Sequence, residues 1–133
     1  MSSGRPVRYT SMSYADVDGL SLHYEEHGRG GEPLIMLHGG FGTGDTFGPV
    51  LDELASTRRV ITADLQAHGG TADIARPLRF GTMADDIAGL IGHLGLEHAD
   101  VFGYSLGGGV ALDRKSTRLN SSHPVSSRMP SSA

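Results

Sequence analysis

The sequence of 133 residues has no cysteine and no tryptophan, and only 6% of its residues are aromatic. The absence of cysteine excludes a disulfide scaffold, a thiolate metal site and a thiol nucleophile, and it suits a reducing compartment. The sequence also lacks an apolar run of about 18 residues, which a membrane-spanning helix needs. Its first residues lack the apolar stretch of a secretory signal. We therefore expect a cytoplasmic protein that does not associate with a membrane.

Basic residues are few, because 11 Lys and Arg stand against 15 Asp and Glu and give a formal net charge of −4. Proteins that bind nucleic acid use basic residues to displace phosphate counterions, so this balance argues against a nucleic-acid partner. We read none of the seven histidines as part of a metal site. The composition leaves a glycine-rich globular domain, or part of one, whose oligomeric state stays open.

The composition changes sharply after residue 112. All 20 glycines lie before this point, whereas 7 of the 21 residues after it are serine. In back-translation, the run Asp113–His123 is similar to a common sequencing-library adapter. We therefore interpret residues 113–133 as a non-native tail, and we expect it to be disordered. Residues 1–112 are then the N-terminal part of a domain that is interrupted near Leu112.

Local patterns predict the strands. Asp18 and Gly19 separate two alternating runs, which predicts a two-residue hairpin because both turn positions need positive φ. Short continuous apolar runs predict strands that are buried on both faces. These strands are predicted at 33–37, 59–63 and 99–103.

Apolar residues at helical spacing predict helices between these strands. One helix is predicted near 47–54, and a second over 82–94 with Thr82 as N-cap and Asp85 in the capping-box position. A third helix is predicted from Leu106. A hairpin followed by alternating strands and helices is typical of the α/β class, with a mostly parallel sheet and crossover helices.

The strongest chemical signal is the run Gly103–Gly107, which reads G-x-S-x-G at the junction of a predicted strand and helix. This is the context of a nucleophile elbow, a tight turn that lifts a serine hydroxyl above the sheet. Glycines two residues before and after Ser105 allow the strand and the helix to approach each other closely. Ser105 is therefore the candidate nucleophile. The alternative is a plain glycine-rich turn with a capping serine.

A second signal is the run His38–Phe41, directly after the first predicted parallel strand. A small residue in this run allows a backbone N–H to point at the same oxyanion that the N–H of Leu106 would meet. The candidate oxyanion donors are therefore Gly40 and Leu106.

With these motifs in place, residues 12–112 resemble the N-terminal half of an α/β-hydrolase. Two departures from the family pattern stand out: Gln66-Ala67 replaces a frequent Arg-Gly pair, and Gly70 stands where a side chain is usual. The segments that carry the resemblance are the Asp18-Gly19 hairpin, His38–Phe41, Asp64–Gly69, Met83–Asp86 and Gly103–Gly108.

The resemblance implies a partial α/β-hydrolase fold that is truncated after the nucleophile elbow. Serine at the nucleophile position argues against dehalogenases and epoxide hydrolases of this fold, which resemble it but place Asp there. Hydrolysis of an ester, thioester, lactone or C–C bond stays open, as do perhydrolase-type reactions. The resemblance implies a cofactor-independent serine hydrolase that acts by acyl transfer on a small ester-like substrate. Phe41 and Tyr104 would line the acyl side of the cavity.

In this family the acid and the histidine of the triad follow the serine. We therefore expect both to be absent from this chain, which should be inactive by itself and poorly packed. His38 and His68 are interpreted as turn residues and Asp64 as a loop-fixing residue. Asp85 and Asp86 are interpreted as charges at a helix N-terminus, and that pair is not interpreted as catalytic.

Two other classes of protein share parts of this pattern. A dinucleotide-binding domain needs G-x-G-x-x-G, which fails from Gly40 because the last position is Asp45, and from Gly42 because it is Phe47. The better alternative is a non-catalytic ligand-binding homologue of the hydrolases, since the triad partners of Ser105 cannot be checked.

Overall fold

The computed structural model describes residues 10–40, 42–43, 47–113 and 125–130. Within these ranges, strands and helices alternate after an N-terminal hairpin, as the sequence predicts. The elements are β1 (Thr10–Val17), β2 (Leu20–His27), β3 (Leu34–Leu37), α1 (Gly48–Ala55), β4 (Val60–Ala63), α2 (Phe80–His93), β5 (His98–Gly103), α3 (Leu106–Asp113) and β6 (Val125–Pro130).

The strands form one mixed sheet in the order β1-β2-β4-β3-β5-β6. β4, β3 and β5 are parallel to one another. β2 is antiparallel to both β1 and β4, and β6 is antiparallel to β5. The predicted α/β class, the hairpin and the crossover connections are confirmed. The hairpin turn has φ of 52° at Asp18 and 83° at Gly19, as a two-residue turn of this kind requires.

The central strands are buried on both faces, which explains their continuous apolar sequences. Along β3, Ile35 and Leu37 belong to the larger core cluster, together with residues of α2 and α3. Leu34 and Met36 belong to the smaller cluster, which they share with Leu51 of α1. Because side chains alternate along a strand, α1 covers one face of the sheet while α2 and α3 cover the other.

The start of α2 differs from the prediction. The helix begins at Phe80, and its N-cap Arg79 makes no side-chain capping bond. The Thr82 hydroxyl donates to the carbonyl oxygen of Arg79 at 3.1 Å, so it bonds back within the first turn and does not cap the helix. Asp85 is exposed. The predicted capping box is therefore wrong.

Part of the C-terminal tail also differs from the expected disorder. Residues 125–130 form β6, in which Val125 pairs with Gly103 and Pro130 with His98. The physical reason is that the edge of β5 offers unpaired backbone N–H and C=O groups, and main-chain pairing does not depend on complementary side chains. The edge of β5 is therefore covered. The rest of the tail after Asp113 lies outside the described residues.

Candidate active site

Ser105 occupies a strained turn between β5 and α3, with φ of +57°. A β-carbon at Gly103 would lie 2.2 Å from the carbonyl oxygen of Gly107, and one at Gly107 would lie 2.4 Å from that of Leu37. Both positions therefore require glycine, and the side chain between them is exposed. The arrangement has the features of a nucleophile elbow.

Backbone hydrogen bonds tie this turn to the end of β3. The N–H of Tyr104 donates to the carbonyl oxygen of Leu37 at 3.1 Å, and the N–H of Gly107 donates to that of His38 at 3.0 Å. A β-carbon at Gly39 would lie 3.4 Å from the β-carbon of Ser105. The structure thus brings together the two glycine-rich motifs that the sequence separates by more than sixty residues.

The predicted oxyanion donors flank this junction. Leu106 is the first residue of α3, and the first N–H groups of a helix have no partner within the helix. Gly40 is exposed and follows Gly39, whose carbonyl oxygen accepts the N–H of Gly42 at 3.0 Å. Phe41 lies outside the described residues.

His38 is fully buried, and both of its ring nitrogens are engaged. Nδ1 lies 2.6 Å from the carbonyl oxygen of Gly39, so it donates, and Nε2 accepts the N–H of Leu65 at 3.0 Å. Burial lowers the pKa of His38, and the neighbouring His68 lowers it further. The hydrogen bond to the Gly39 carbonyl oxygen acts in the opposite direction and raises this pKa. A neutral imidazole with both nitrogens occupied is not a general base for Ser105. Its contacts fit the predicted turn role.

Asp64 fixes the loop after β4. Its Oδ2 accepts the N–H of Gly70 at 2.9 Å and lies 3.0 Å from Nδ1 of His23. The Thr71 hydroxyl donates to the Asp64 carbonyl oxygen at 2.7 Å. A β-carbon at Gly70 would lie 2.7 Å from Cγ of His23, which explains why this chain has glycine there.

Asp86 is not a charge at the helix N-terminus, so that interpretation is wrong. It lies inside α2, is 1% exposed and forms an ion pair with Arg76. Burial raises the pKa of Asp86, although the hydrogen bond and the charge of Arg76 oppose this effect. Arg76 Nε also donates to Gln66 Oε1 at 2.8 Å, and Gln66 Nε2 donates to Asp73 at 2.7 Å.

Sequence reasoning missed Arg76. The available signal was Gln66, which stands where the family often has arginine. The buried Asp86 still has a cation as its partner. This cation is Arg76, which lies ten residues after Gln66 in the chain.

Residues 32–113 match the sequence profile of the alpha/beta hydrolase fold family. The chain belongs to this family. Among curated relatives, it is 37% identical over 109 residues to the dihydrolipoyllysine-residue acetyltransferase component of the acetoin cleaving system of Cupriavidus necator, covering 82% of this chain and 29% of that protein. It is 34% identical over 98 residues to a soluble epoxide hydrolase of a Corynebacterium species, covering 74% and 34%.

Solved structures of this family have the same architecture. The chain is similar to the N-acyl homoserine lactonase AidH complexed with N-butanoyl homoserine, with a TM-score of 0.72 and 32% identity, covering 77% of this chain and 39% of that one. It is also similar to the epoxide hydrolase CorEH, with a TM-score of 0.74 and 31% identity, covering 78% and 36%. The chain therefore spans less than two fifths of the length of these relatives.

Two apolar cavities approach the elbow of this α/β-hydrolase chain from opposite faces of the sheet. A groove of about 630 Å³ runs beside α1 and has Tyr104 in its wall, together with Met36 and Phe102. A smaller pocket of about 230 Å³ includes Leu106 in its wall. Tyr104 lies in the wall of this groove, whose lining among the described residues does not include Ser105. Its role on the acyl side of a substrate cavity stays a prediction.

Metal ligands are not grouped in the described part of the chain, where no cluster of three or more His, Cys, Asp or Glu side chains is arranged to hold an ion. His23 and His27 have the H-x-x-x-H spacing, which on a helix places two ligands on one face. They lie on strand β2, where four residues span about 13 Å, so the two rings cannot share a metal. No helix in the described ranges has the length and apolarity needed to cross a membrane.

Proposed function

We propose that this chain supplies the nucleophile and the oxyanion-binding donors of a serine hydrolase that acts by acyl transfer on a small ester-like molecule. Ser105 is the nucleophile, and the N–H groups of Gly40 and Leu106 bind the oxyanion. The observation that carries the proposal is the positive φ of Ser105 between two glycines whose replacement would collide with the backbone. Such strain at an exposed hydroxyl is typical of a functional residue.

The reaction begins when Ser105 Oγ attacks the acyl carbon while a histidine takes its proton. The carbonyl oxygen becomes an oxyanion that the two N–H groups stabilise, each contributing about 10²–10³-fold in rate. The intermediate then expels the alcohol, which takes the proton from the histidine, and leaves an acyl-serine ester. Water attacks this ester by the same route, releasing the acid and restoring Ser105.

The histidine and its carboxylate partner belong, in this proposal, to a part of the complete protein outside residues 1–133. Among the described residues, no imidazole is hydrogen-bonded to the Ser105 hydroxyl. His38 is fully engaged elsewhere, and Nδ1 of His68 is bonded to the carbonyl oxygen of Gln66 at 2.9 Å. We therefore expect the 133-residue chain by itself to be inactive.

Serine at the elbow favours ester or lactone cleavage over epoxide opening, for which this fold uses aspartate. The similarity to an N-acyl homoserine lactonase supports the same substrate class. The lack of cysteine favours a cytoplasmic location. The alternative is a non-catalytic ligand-binding homologue, and the observation that favours it is the absence of a described base at Ser105.

The test is Ser105→Ala in the complete protein, assayed by hydrolysis of a short-chain p-nitrophenyl ester. We expect at most the residual rate of disabled triads, about 10³–10⁴-fold over water. Ser21→Ala is the matched control, because Ser21 is an exposed serine on β2, and it should keep full activity. Normal turnover by Ser105→Ala would reject Ser105 as the nucleophile, and an inactive natural protein would favour the binding homologue.

A further inference from the structure

We propose that the pocket between the starts of α2 and α3 binds one short aliphatic arm of the substrate, and that His68 accepts a hydrogen bond from an N–H or O–H group on that arm. This pocket, the α2 pocket, is lined by His68, Leu78, Phe80, Met83 and Leu106. That the bound arm belongs to the substrate of a hydrolase rests on the proposed function. That the α2 pocket binds such an arm does not.

The position of the α2 pocket relative to the elbow follows from the topology. α2 begins at Phe80 and α3 at Leu106, both at the carboxyl edge of the parallel strands, where open α/β sheets bind their ligands. The Phe80 ring lies close to α3, since a β-carbon at Gly109 would be 2.7 Å from its Cζ. Leu106 directly follows Ser105, so the pocket and the elbow share a wall.

The mouth of the α2 pocket exposes apolar side chains. Leu78 is 53% and Phe80 48% exposed, although both are large hydrophobic residues. Exposed apolar residues that converge on a cavity are typical of a binding site. The volume of about 230 Å³ lies below the range of roughly 300–1,000 Å³ for pockets that hold a whole drug-sized ligand. The pocket therefore suits one substituent of a larger substrate.

Among the described residues that line the α2 pocket, His68 alone has a polar side chain. Its Nδ1 lies 2.9 Å from the carbonyl oxygen of Gln66, and a carbonyl can only accept, so Nδ1 carries the proton. Its ring also packs against that of His38, with centroids 5.0 Å apart. In the neutral ring, Nε2 is then an acceptor that is left for a ligand. An arm with an amide N–H or a hydroxyl satisfies it, whereas a purely hydrocarbon arm does not.

The test is a titration of the complete protein followed by NMR, with N-ethylbutanamide as the probe. Its butanoyl chain matches the apolar walls and its single N–H matches the acceptor of His68. We expect shifts at Phe80 and Leu106, and binding about five-fold weaker for N-ethyl-N-methylbutanamide, which lacks the N–H. Equal affinity of the two probes would overturn the acceptor role of His68.

Leu78→Asp and Val50→Asp form a matched pair, because both residues are exposed aliphatic side chains, at 53% and 54%, on different cavities. We expect Leu78→Asp to weaken binding about ten-fold, since it places a charge at an apolar mouth, and Val50→Asp to leave it unchanged. The reverse pattern, with shifts at Met36 and Phe102, would place the probe in the groove and overturn the proposal.

Ser105→Ala separates this proposal from the hydrolase proposal. We expect the variant chain to bind N-ethylbutanamide with unchanged affinity, because the probe does not need a nucleophile. Loss of probe binding in Leu78→Asp would support the pocket. Full hydrolysis by the complete protein carrying Ser105→Ala would reject only the role of Ser105 as the nucleophile. Absence of probe binding to the natural sequence would reject the pocket alone.

Discussion

Three described residues other than glycine have positive φ, and two of them lie at the carboxyl edge of the sheet. A left-handed conformation costs an L-residue about 1–2 kcal/mol. At Ser105 the conformation presents the hydroxyl that the proposed reaction needs. At Ala67, with φ of 68°, the methyl group is exposed and serves no comparable purpose. The family often has glycine at this second position, where it avoids the strain.

Ala67→Gly should therefore stabilise the protein. We expect an increase of about 0.5–1 kcal/mol in the free energy of unfolding, because the relief of strain exceeds the entropy that glycine adds to the unfolded chain. Urea unfolding measures the change. Ala75→Gly is the control, since Ala75 is exposed in the same connection and its φ is not positive, and it should be slightly destabilising. A loss of stability in Ala67→Gly would show that the turn does not store strain.

At the scale of elements, Arg76 links the loop after β4 to helix α2. It connects Gln66 of the loop with Asp86 inside the helix, and thereby holds the segment that carries His68 next to the start of α2. The carboxylate is the costly member of the pair, because burial disfavours its charged form more than Arg76 compensates.

The raised pKa of Asp86 predicts a pH dependence of stability. A carboxyl whose pKa is higher in the folded state binds extra protons there, so its contribution is favourable at low pH and is lost as pH rises through the raised value. Asp86→Asn removes this dependence. We therefore compare the free energy of unfolding of the unsubstituted chain with that of Asp86→Asn. The value for the unsubstituted chain minus the value for the variant should fall as the pH rises above 3.8, the ordinary pKa of an aspartate, towards neutrality.

Urea unfolding of both proteins across this pH range measures the difference. Asp85→Asn is the matched control, because its neighbouring carboxyl is exposed on the same helix, and it should give a smaller trend. A difference that grows with pH would mean that attraction to Arg76 outweighs burial at Asp86.

For the molecule as a whole, the sequence predicted what depends on neighbouring residues. Apolar runs, alternation and turn chemistry marked the hairpin, strands β3 to β5 and the elbow. The capping box at Thr82 was a local pattern and was still wrong, because the helix begins two residues earlier. Other missed features depend on residues far apart in sequence. His23 and Asp64, which meet across β2 and β4, are 41 residues apart, and the pairing of β6 with β5 joins segments that no local pattern relates. The catalytic roles of Ser105, Gly40 and Leu106 stay predictions.

Strand β5 is paired along both of its edges. Its paired strand β3 lies on one side, and the tail residues 125–130 lie on the other. Val101 is buried in the sheet and Phe102 is partly buried beside the groove. An uncovered strand of this composition would be a template for pairing with another chain.

Removal of residues 114–133 should therefore promote self-association, because it exposes the N–H and C=O groups along β5. We expect the shortened chain to form concentration-dependent oligomers in size-exclusion chromatography with light scattering. Ser127→Pro tests the same contact without shortening the chain, since proline removes the N–H of a residue that pairs with Val101. Ser132→Pro, beyond the end of β6, is its matched control and should behave like the unsubstituted chain. If Ser127→Pro and the shortened chain both stay monomeric, β6 does not protect the edge, and the covering of β5 has no consequence for association.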